Sequence, residues 1–133
     1  MKSLLLLSFS LFAFVLSASA QRFYAASGSL MGRVENGRIY SSNGSLKGRI
    51  DGTRLYSQSG SLVGRVDGNR VYDGSGSLKG RIDDDRVYSQ SGSLLGRIDG
   101  ERIYSASGSL IGRGKDIERT VLALIYFFHF WDL

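Results

Sequence analysis

The chain has no cysteine and no proline in its 133 residues, one histidine and one tryptophan. Without cysteine there is no disulfide, no thiolate metal site and no cysteine nucleophile, so stability must come from packing. Without proline, no strand loses a ladder donor. The single histidine, His129, cannot assemble a zinc site by itself, and general-base work needs a partner the rest of the chain does not supply. Asp83-Asp84-Asp85 is the one acidic cluster; it lacks the ligand spacing of a dedicated Ca²⁺ loop and reads as a turn. The Gly-x-Gly pieces precede no helix and are turns rather than phosphate loops. Serine is abundant, but no histidine or paired acid stands within reach of it in the sequence. Asn43-Gly44-Ser45 matches a glycosylation acceptor and reads as a turn.

What is present is a repeat. A sixteen-residue unit recurs six times from Arg22 to Arg113, with Tyr at 24, 40, 56, 72, 88 and 104, and Gly at 32, 48, 64, 80, 96 and 112. One unbroken period over six copies predicts a symmetric array in which each unit buries its apolar side against its neighbours. Each unit carries two turn signals eight residues apart. One is Asp-Gly, as in Asp51-Gly52; the other is Ser-Gly, as in Ser59-Gly60. Both supply the positive φ that tight hairpins need. The segments between them are rich in Ile, Val, Leu and Tyr and alternate, which predicts strands.

A hairpin centred on Asp51-Gly52 sets Ile50 opposite Thr53 and Gly48 opposite Leu55. One centred on Ser59-Gly60 sets Leu55 opposite Gly64, Arg54 opposite Arg65 and Tyr56 opposite Val63. Both put the same residues on the same face, as a period of two requires. The predicted inner face holds Leu46, Gly48, Ile50, Leu55 and Ser57 with their equivalents. The predicted outer face holds Arg49, Arg54, Tyr56 and a variable row: Met31, Lys47, Val63, Lys79, Leu95 and Ile111. The expectation is an all-β fold, a twelve-strand antiparallel meander closed on itself, with the strand around Phe23 paired to the strand around Ile111. Closure removes the exposed edges and the bare apolar face of an open sheet. Twelve strands at ~4.8 Å spacing and ~40° tilt give a radius of roughly 12 Å, too wide for wall side chains to fill.

Three segments follow. Residues 1–20 read as a signal peptide: Lys2, an apolar stretch from Leu4 to Leu16, and the small-x-small site Ala18-Ser19-Ala20. The alternative is an uncleaved anchor. Cleavage would remove Lys2 and take the net charge from +5 to +4. Residues 21–114 are the six-repeat hairpin domain. Residues 115–133 are an apolar tail, in which Thr120 to Trp131 is far shorter than the ~20 residues of a spanning helix. We expect the tail, as a helix capped by Asp116, to plug the barrel, with the glycine row making room for its aromatics. A strand, or a surface segment touching the envelope, is the alternative.

The Gly-Arg-Ile-Asp-Gly and Tyr-Ser-x-Ser-Gly-Ser-Leu repeats, the leader, and the Gly-Lys-Asp-x-Glu-Arg tail running into aromatics resemble the β-flower proteins, small exported proteins common in Bacteroidota. The likeness spans nearly the whole chain after the leader. The family is classed as four-fold or five-fold by its hairpins, and the likeness implies a radial all-β fold and no known activity, cofactor or site residues; this chain has five hairpins about its Asp-Gly-type turns and six about its Ser-Gly-type turns, so its symmetry counts as five or six.

Two surface features are candidates for function. The register places Arg22, Arg33, Arg38, Arg49, Arg54, Arg65, Arg70, Arg81, Arg86, Arg97, Arg102 and Arg113 in one outward row. Such a row either stiffens the sheet with Tyr and Asp or binds anionic polymers such as lipopolysaccharide, acidic glycans or nucleic acid. Tyr40, Tyr56, Tyr72, Tyr88 and Tyr104 either cover the strands or stack on sugars or bases. An active site needs unlike residues converging at one place, and a sequence this symmetric offers none. The expectation is therefore a non-enzymatic protein without a cofactor, periplasmic or extracellular: a structural scaffold of the envelope, or a multivalent binder of polyanions.

Overall fold

The computed structural model describes residues 21–133; the leader reading of residues 1–20 lies outside the described residues. Twelve strands alternate between four and six residues in length: β1 (Arg22–Ala25), β2 (Leu30–Glu35), β3 (Arg38–Ser41), β4 (Leu46–Asp51), β5 (Arg54–Ser57), β6 (Leu62–Asp67), β7 (Arg70–Asp73), β8 (Leu78–Asp83), β9 (Arg86–Ser89), β10 (Leu94–Asp99), β11 (Arg102–Ser105) and β12 (Leu110–Lys115). They form a closed antiparallel barrel in chain order, with β1 beside β12. One helix follows, α1 (Arg119–Tyr126).

Long strands enter short ones through two-residue loops. In the β4–β5 hairpin, Asp51 pairs with Arg54, Ile50 with Leu55, Arg49 with Tyr56 and Gly48 with Ser57. The loop is thus Gly52-Thr53, one residue beyond the expected centre. Gly52 supplies the positive φ, 62°, at the first loop position, which frees Asp51 to end the ladder opposite Arg54. The facing partners move by two positions, so every side chain keeps its expected face. Asp84-Asp85 is the equivalent loop of β8–β9, with Asp84 at φ 53°.

The seam between β1 and β12 repeats this register without a loop. Tyr24 pairs with Arg113 and Ala25 with Gly112, as Tyr56 does with Arg49 and Ser57 with Gly48. Five complete hairpins and one seam therefore close the ring.

Short strands enter long ones through a different turn. The Ser57 N–H donates to the Ser61 carbonyl at 2.9 Å, and the Gly60 N–H donates to the Ser57 carbonyl at 3.0 Å. This three-residue loop carries Gly60 at φ 92° and brings a bulge with it. Arg54 pairs with Arg65 and Leu55 with Gly64 as expected, but the register then shifts and Tyr56 faces Leu62 rather than Val63. The extra residue reverses the faces beyond it. Leu30, Leu46, Leu62, Leu78, Leu94 and Leu110 stand outside at 37–45% exposure, correcting the inner-face assignment. The variable row turns the other way: Met31, Val63, Leu95 and Ile111 are partly buried against the core.

The core is the inner wall plus the tail. Phe23, Ile39, Leu55, Val71, Val87 and Ile103 are fully buried, one from each short strand. They alternate around the wall with Gly32, Gly48, Gly64, Gly80, Gly96 and Gly112. At each of these glycines a Cβ would come within 3.0 Å of an aromatic ring. The rings are Phe23 at Gly32, Trp131 at Gly48, Phe130 at Gly64, Phe128 at Gly80, Phe127 at Gly96 and Tyr126 at Gly112. Five of the six rings come from the tail in sequence order, and the sixth comes from the wall. A seventh glycine, Gly114, stands where the other long strands carry Ile or Val and makes room for Leu122.

The tail is a plug, as expected, but helical only to Tyr126. Asp116 is not its cap: Asp116 sits at φ 57°, and Glu118 holds the cap position without a side-chain hydrogen bond. Leu122, Ala123, Leu124, Ile125 and Tyr126 are buried. Beyond the helix, successive rings must reach successive glycine notches around the wall. A regular helix turns ~100° per residue and cannot follow that arc. The chain leaves the helix and skips one residue, His129, which takes φ 51° and stays exposed.

Candidate functional site: the outer belt and the barrel mouth

The arginines do not form one continuous row. They meet in six cross-strand pairs: Arg22 with Arg33, Arg38 with Arg49, Arg54 with Arg65, Arg70 with Arg81, Arg86 with Arg97, and Arg102 with Arg113. On the far side of each long strand the neighbour is Tyr, and on the far side of each short strand it is an acidic residue in five of six cases. Two-residue steps at each hairpin break the row into pairs.

The two members of a pair differ. The long-strand member stacks on Tyr: Arg33, Arg49, Arg65, Arg81 and Arg97 lie 4.2–4.3 Å from the ring centroids of Tyr40, Tyr56, Tyr72, Tyr88 and Tyr104. Arg113 lies 5.3 Å from Tyr24 across the seam. Arg33 also bonds Glu35 at 3.3 Å, while Arg65 and Arg97 approach Asp67 and Asp99 at 3.8 Å. Stacking on the negative face of the ring offsets the repulsion between facing guanidinium groups. The short-strand members Arg22, Arg38, Arg54, Arg70, Arg86 and Arg102 are exposed, and among the described residues no carboxylate lies within 4.0 Å of them.

Each Tyr is half-buried, with Arg on one side and a Leu paired to it on the other, as Arg49, Tyr56 and Leu62 show. Its ring is covered on one face. The outward Leu row was legible only through the bulge, whose signal is the Gly one residue before the last Ser of each Ser-Gly loop.

The six three-residue loops share one end of the barrel. Their small polar side chains bond one another, as in Ser57 Oγ and Ser59 Oγ at 3.0 Å. In one loop the first Ser is replaced by Asp73. Its Oδ1 accepts from Ser75 Oγ at 2.7 Å and from the Ser75 and Ser77 N–H groups at 3.0 and 2.9 Å. The Ser75 hydroxyl, then the Ser77 N–H, hold the Asp73 carboxyl below the usual carboxylate range.

At that same end the tail rings fill five of the six glycine notches around the mouth. The Tyr126 hydroxyl donates to the Tyr24 carbonyl at 2.6 Å and to the Arg113 carbonyl at 3.2 Å, so it ties the plug to both sides of the seam. Burial pushes its phenol up to about 12, against those two bonds. The lone His129 and the neighbouring Asp132 line a cleft at the mouth with Met31, Ile125, Tyr126 and Trp131. No repeat signal points to this cleft, because it is built by the one irregular segment.

Among the described residues there is no group of three or more His, Cys, Asp or Glu able to hold a metal ion, and no helix long and apolar enough to cross a membrane.

No curated protein and no solved structure matches the chain. The family model of the 5-fold beta-flower proteins matches residues 20–130. That span takes in every hairpin, the seam and four of the tail's five ring–glycine contacts, and the chain belongs to the 5-fold β-flower family.

Proposed function

We propose that the protein is a non-enzymatic structural element exported to the bacterial envelope, with its outer surface as the working part. The observation that carries this reading is that the glycine layer of the interior is filled: six glycine notches receive six rings. What the barrel offers to its surroundings is a belt repeated around the ring, and such repetition suits structure or avidity rather than a single reaction centre. The leader-like residues 1–20 supply the route out. Fractionation of cells expressing the whole chain, with the amino terminus of the product sequenced, tests it. A chain beginning at Gln21 outside the cytoplasm is expected. An intact chain beginning at Met1 in the cytosol would refute export.

A second reading, binding of anionic polymers, is favoured by one observation. One arginine of each facing pair is exposed and not stacked on Tyr, so six guanidinium groups are available. Binding to heparin, lipopolysaccharide and DNA should then fall steeply with salt as counterions are released. Replacing Arg38, Arg54, Arg70 and Arg86 with Gln should abolish it. Absence of binding at low salt would leave the structural role alone.

A further inference from the structure

The tail does not close the whole mouth. Its rings run from Tyr126 at Gly112 of β12 to Trp131 at Gly48 of β4. The remaining sector, over β1, β2 and β3, has only Phe23 of the wall, seated at Gly32 and in edge contact with Tyr126 at 6.2 Å between centroids. In front of this sector, where the two ends of the ring arc approach each other, lies the cleft lined by Met31, Ile125, Tyr126, His129, Trp131 and Asp132, with a volume of about 410 Å³. Ligand sites span roughly 300–1,000 Å³ and combine apolar walls with a few placed polar groups.

The lining specifies a chemistry. Met31 and Ile125 give a thioether and an aliphatic wall, and thioethers pack well against aromatic rings. Tyr126, Phe130 and Trp131 line it with aromatic side chains, of which Tyr126 and Trp131 are themselves largely buried in their notches. Asp132 and His129 are the polar groups, and both are exposed. A carboxylate accepts hydrogen bonds and does not donate them. His129 is held at φ 51°, in the left-handed region that side-chain-bearing residues rarely adopt. Strained backbone of this kind concentrates at ligand sites.

We propose that this cleft binds a small planar aromatic molecule carrying a hydrogen-bond donor, with its ring against Met31, Tyr126 and Trp131 and its donor on the Asp132 carboxylate. The site is independent of the outer arginine belt and of the exported role. It is single, because the tail breaks the symmetry that repeats everything else.

The repeat supplies its own controls. Lys47 and Lys79 occupy the position equivalent to Met31, so the fold accepts Lys there. Trp131 is the only tryptophan, and its emission reports directly on the cleft. The experiment titrates the mature protein, residues 21–133, with 1-naphthylamine and with naphthalene, following Trp131 emission. A saturable one-to-one change is expected, with 1-naphthylamine bound more tightly than naphthalene. Met31→Lys should weaken binding at least tenfold, whereas Leu95→Lys, at the same repeat position away from the cleft, should leave it within twofold. Asp132→Ala should remove the preference for the amine and retain naphthalene binding. No saturable change in the unaltered protein, equal losses in the two Lys variants, or an amine preference that survives Asp132→Ala would overturn the proposal.

Discussion

The indole N–H of Trp131 donates to the carbonyl of Tyr56 at 3.0 Å, and the same ring occupies the space that Gly48 leaves by lacking a Cβ. One tail residue thus fills a notch in the wall and satisfies a backbone acceptor of the adjoining strand. Tyr126 does the same at Gly112 and Tyr24. The plug is held by shape at six glycines, five through its rings and Gly114 through Leu122, and by directed bonds at its first and last rings.

The two classes of glycine should respond differently to the same substitution. Gly60 has φ 92° and open space around it, so Gly60→Ala should cost only the backbone strain, roughly 1–2 kcal/mol. Gly64 has an ordinary backbone, but a Cβ there would lie 2.5 Å from Phe130 Cε1 and 2.7 Å from the Tyr72 carbonyl oxygen. Gly64→Ala should overpack the core by about 1–3 kcal/mol, and Gly64→Val by more. Urea unfolding of the single variants, and of Gly64→Ala combined with Phe130→Leu, separates the two. The second substitution should recover part of the loss at Gly64 and none at Gly60.

This contrast also marks what the sequence reveals. The faces of Ile39, Leu55 and Gly64, the closure of β1 on β12 and the need for a plug all follow from a strict period of two read in units of sixteen. The side on which Leu62 falls does not, because it depends on a loop of three residues rather than two, and one added residue inverts the face. The arginine pairs are legible as neighbours, since Arg54 and Arg65 lie inside the correctly registered part of the hairpin. Their division into members stacked on Tyr and members not stacked is not, because it depends on the two-residue step at Gly52-Thr53. The assignment of each tail ring to its glycine requires the irregular turn at His129, which tertiary packing imposes and no local pattern encodes.

Alkaline stability should depend on Tyr126. Burial raises its phenol to about 12, above the ~10 of an unfolded tyrosine. A group raised on folding gives stability that is complete below the unfolded value and is lost as pH climbs through the folded one. Melting temperature should therefore fall between about pH 10 and 12. Tyr126→Phe should lower the melting temperature at neutral pH, through the lost bonds to Tyr24 and Arg113, yet flatten the alkaline decline. An equally steep decline in the variant would contradict this.

Acid stability should depend on the Asp73 loop. The Ser75 hydroxyl and the Ser75 and Ser77 N–H groups favour the ionised carboxylate and depress its titration. A group depressed on folding gives stability that is present above its unfolded value, ~3.9, and is lost as pH falls through the lowered one. Asp73→Ser recreates the Ser57-type loop. It should lower the melting temperature at pH 6 and narrow the gap to the parent protein as pH approaches 2. A gap that is constant from pH 6 to pH 2 would count against the loop as an acid-sensitive element.

Wall and plug form one structure, neither complete without the other. Residues 21–114 contain all twelve strands but for Lys115 at the end of β12, and leave the glycine notches, apart from the one filled by Phe23, facing an empty lumen. Each buried large side chain of the tail contributes about 1.5–3 kcal/mol, and Leu122, Leu124, Ile125, Phe128 and Trp131 together rival the ~5–15 kcal/mol by which whole domains are stable. The most direct measurement is thermal unfolding of residues 21–114 beside residues 21–133, followed by circular dichroism. A cooperative transition is expected for the longer chain and none for the shorter. Cooperative unfolding of the shorter chain at the same temperature would contradict it.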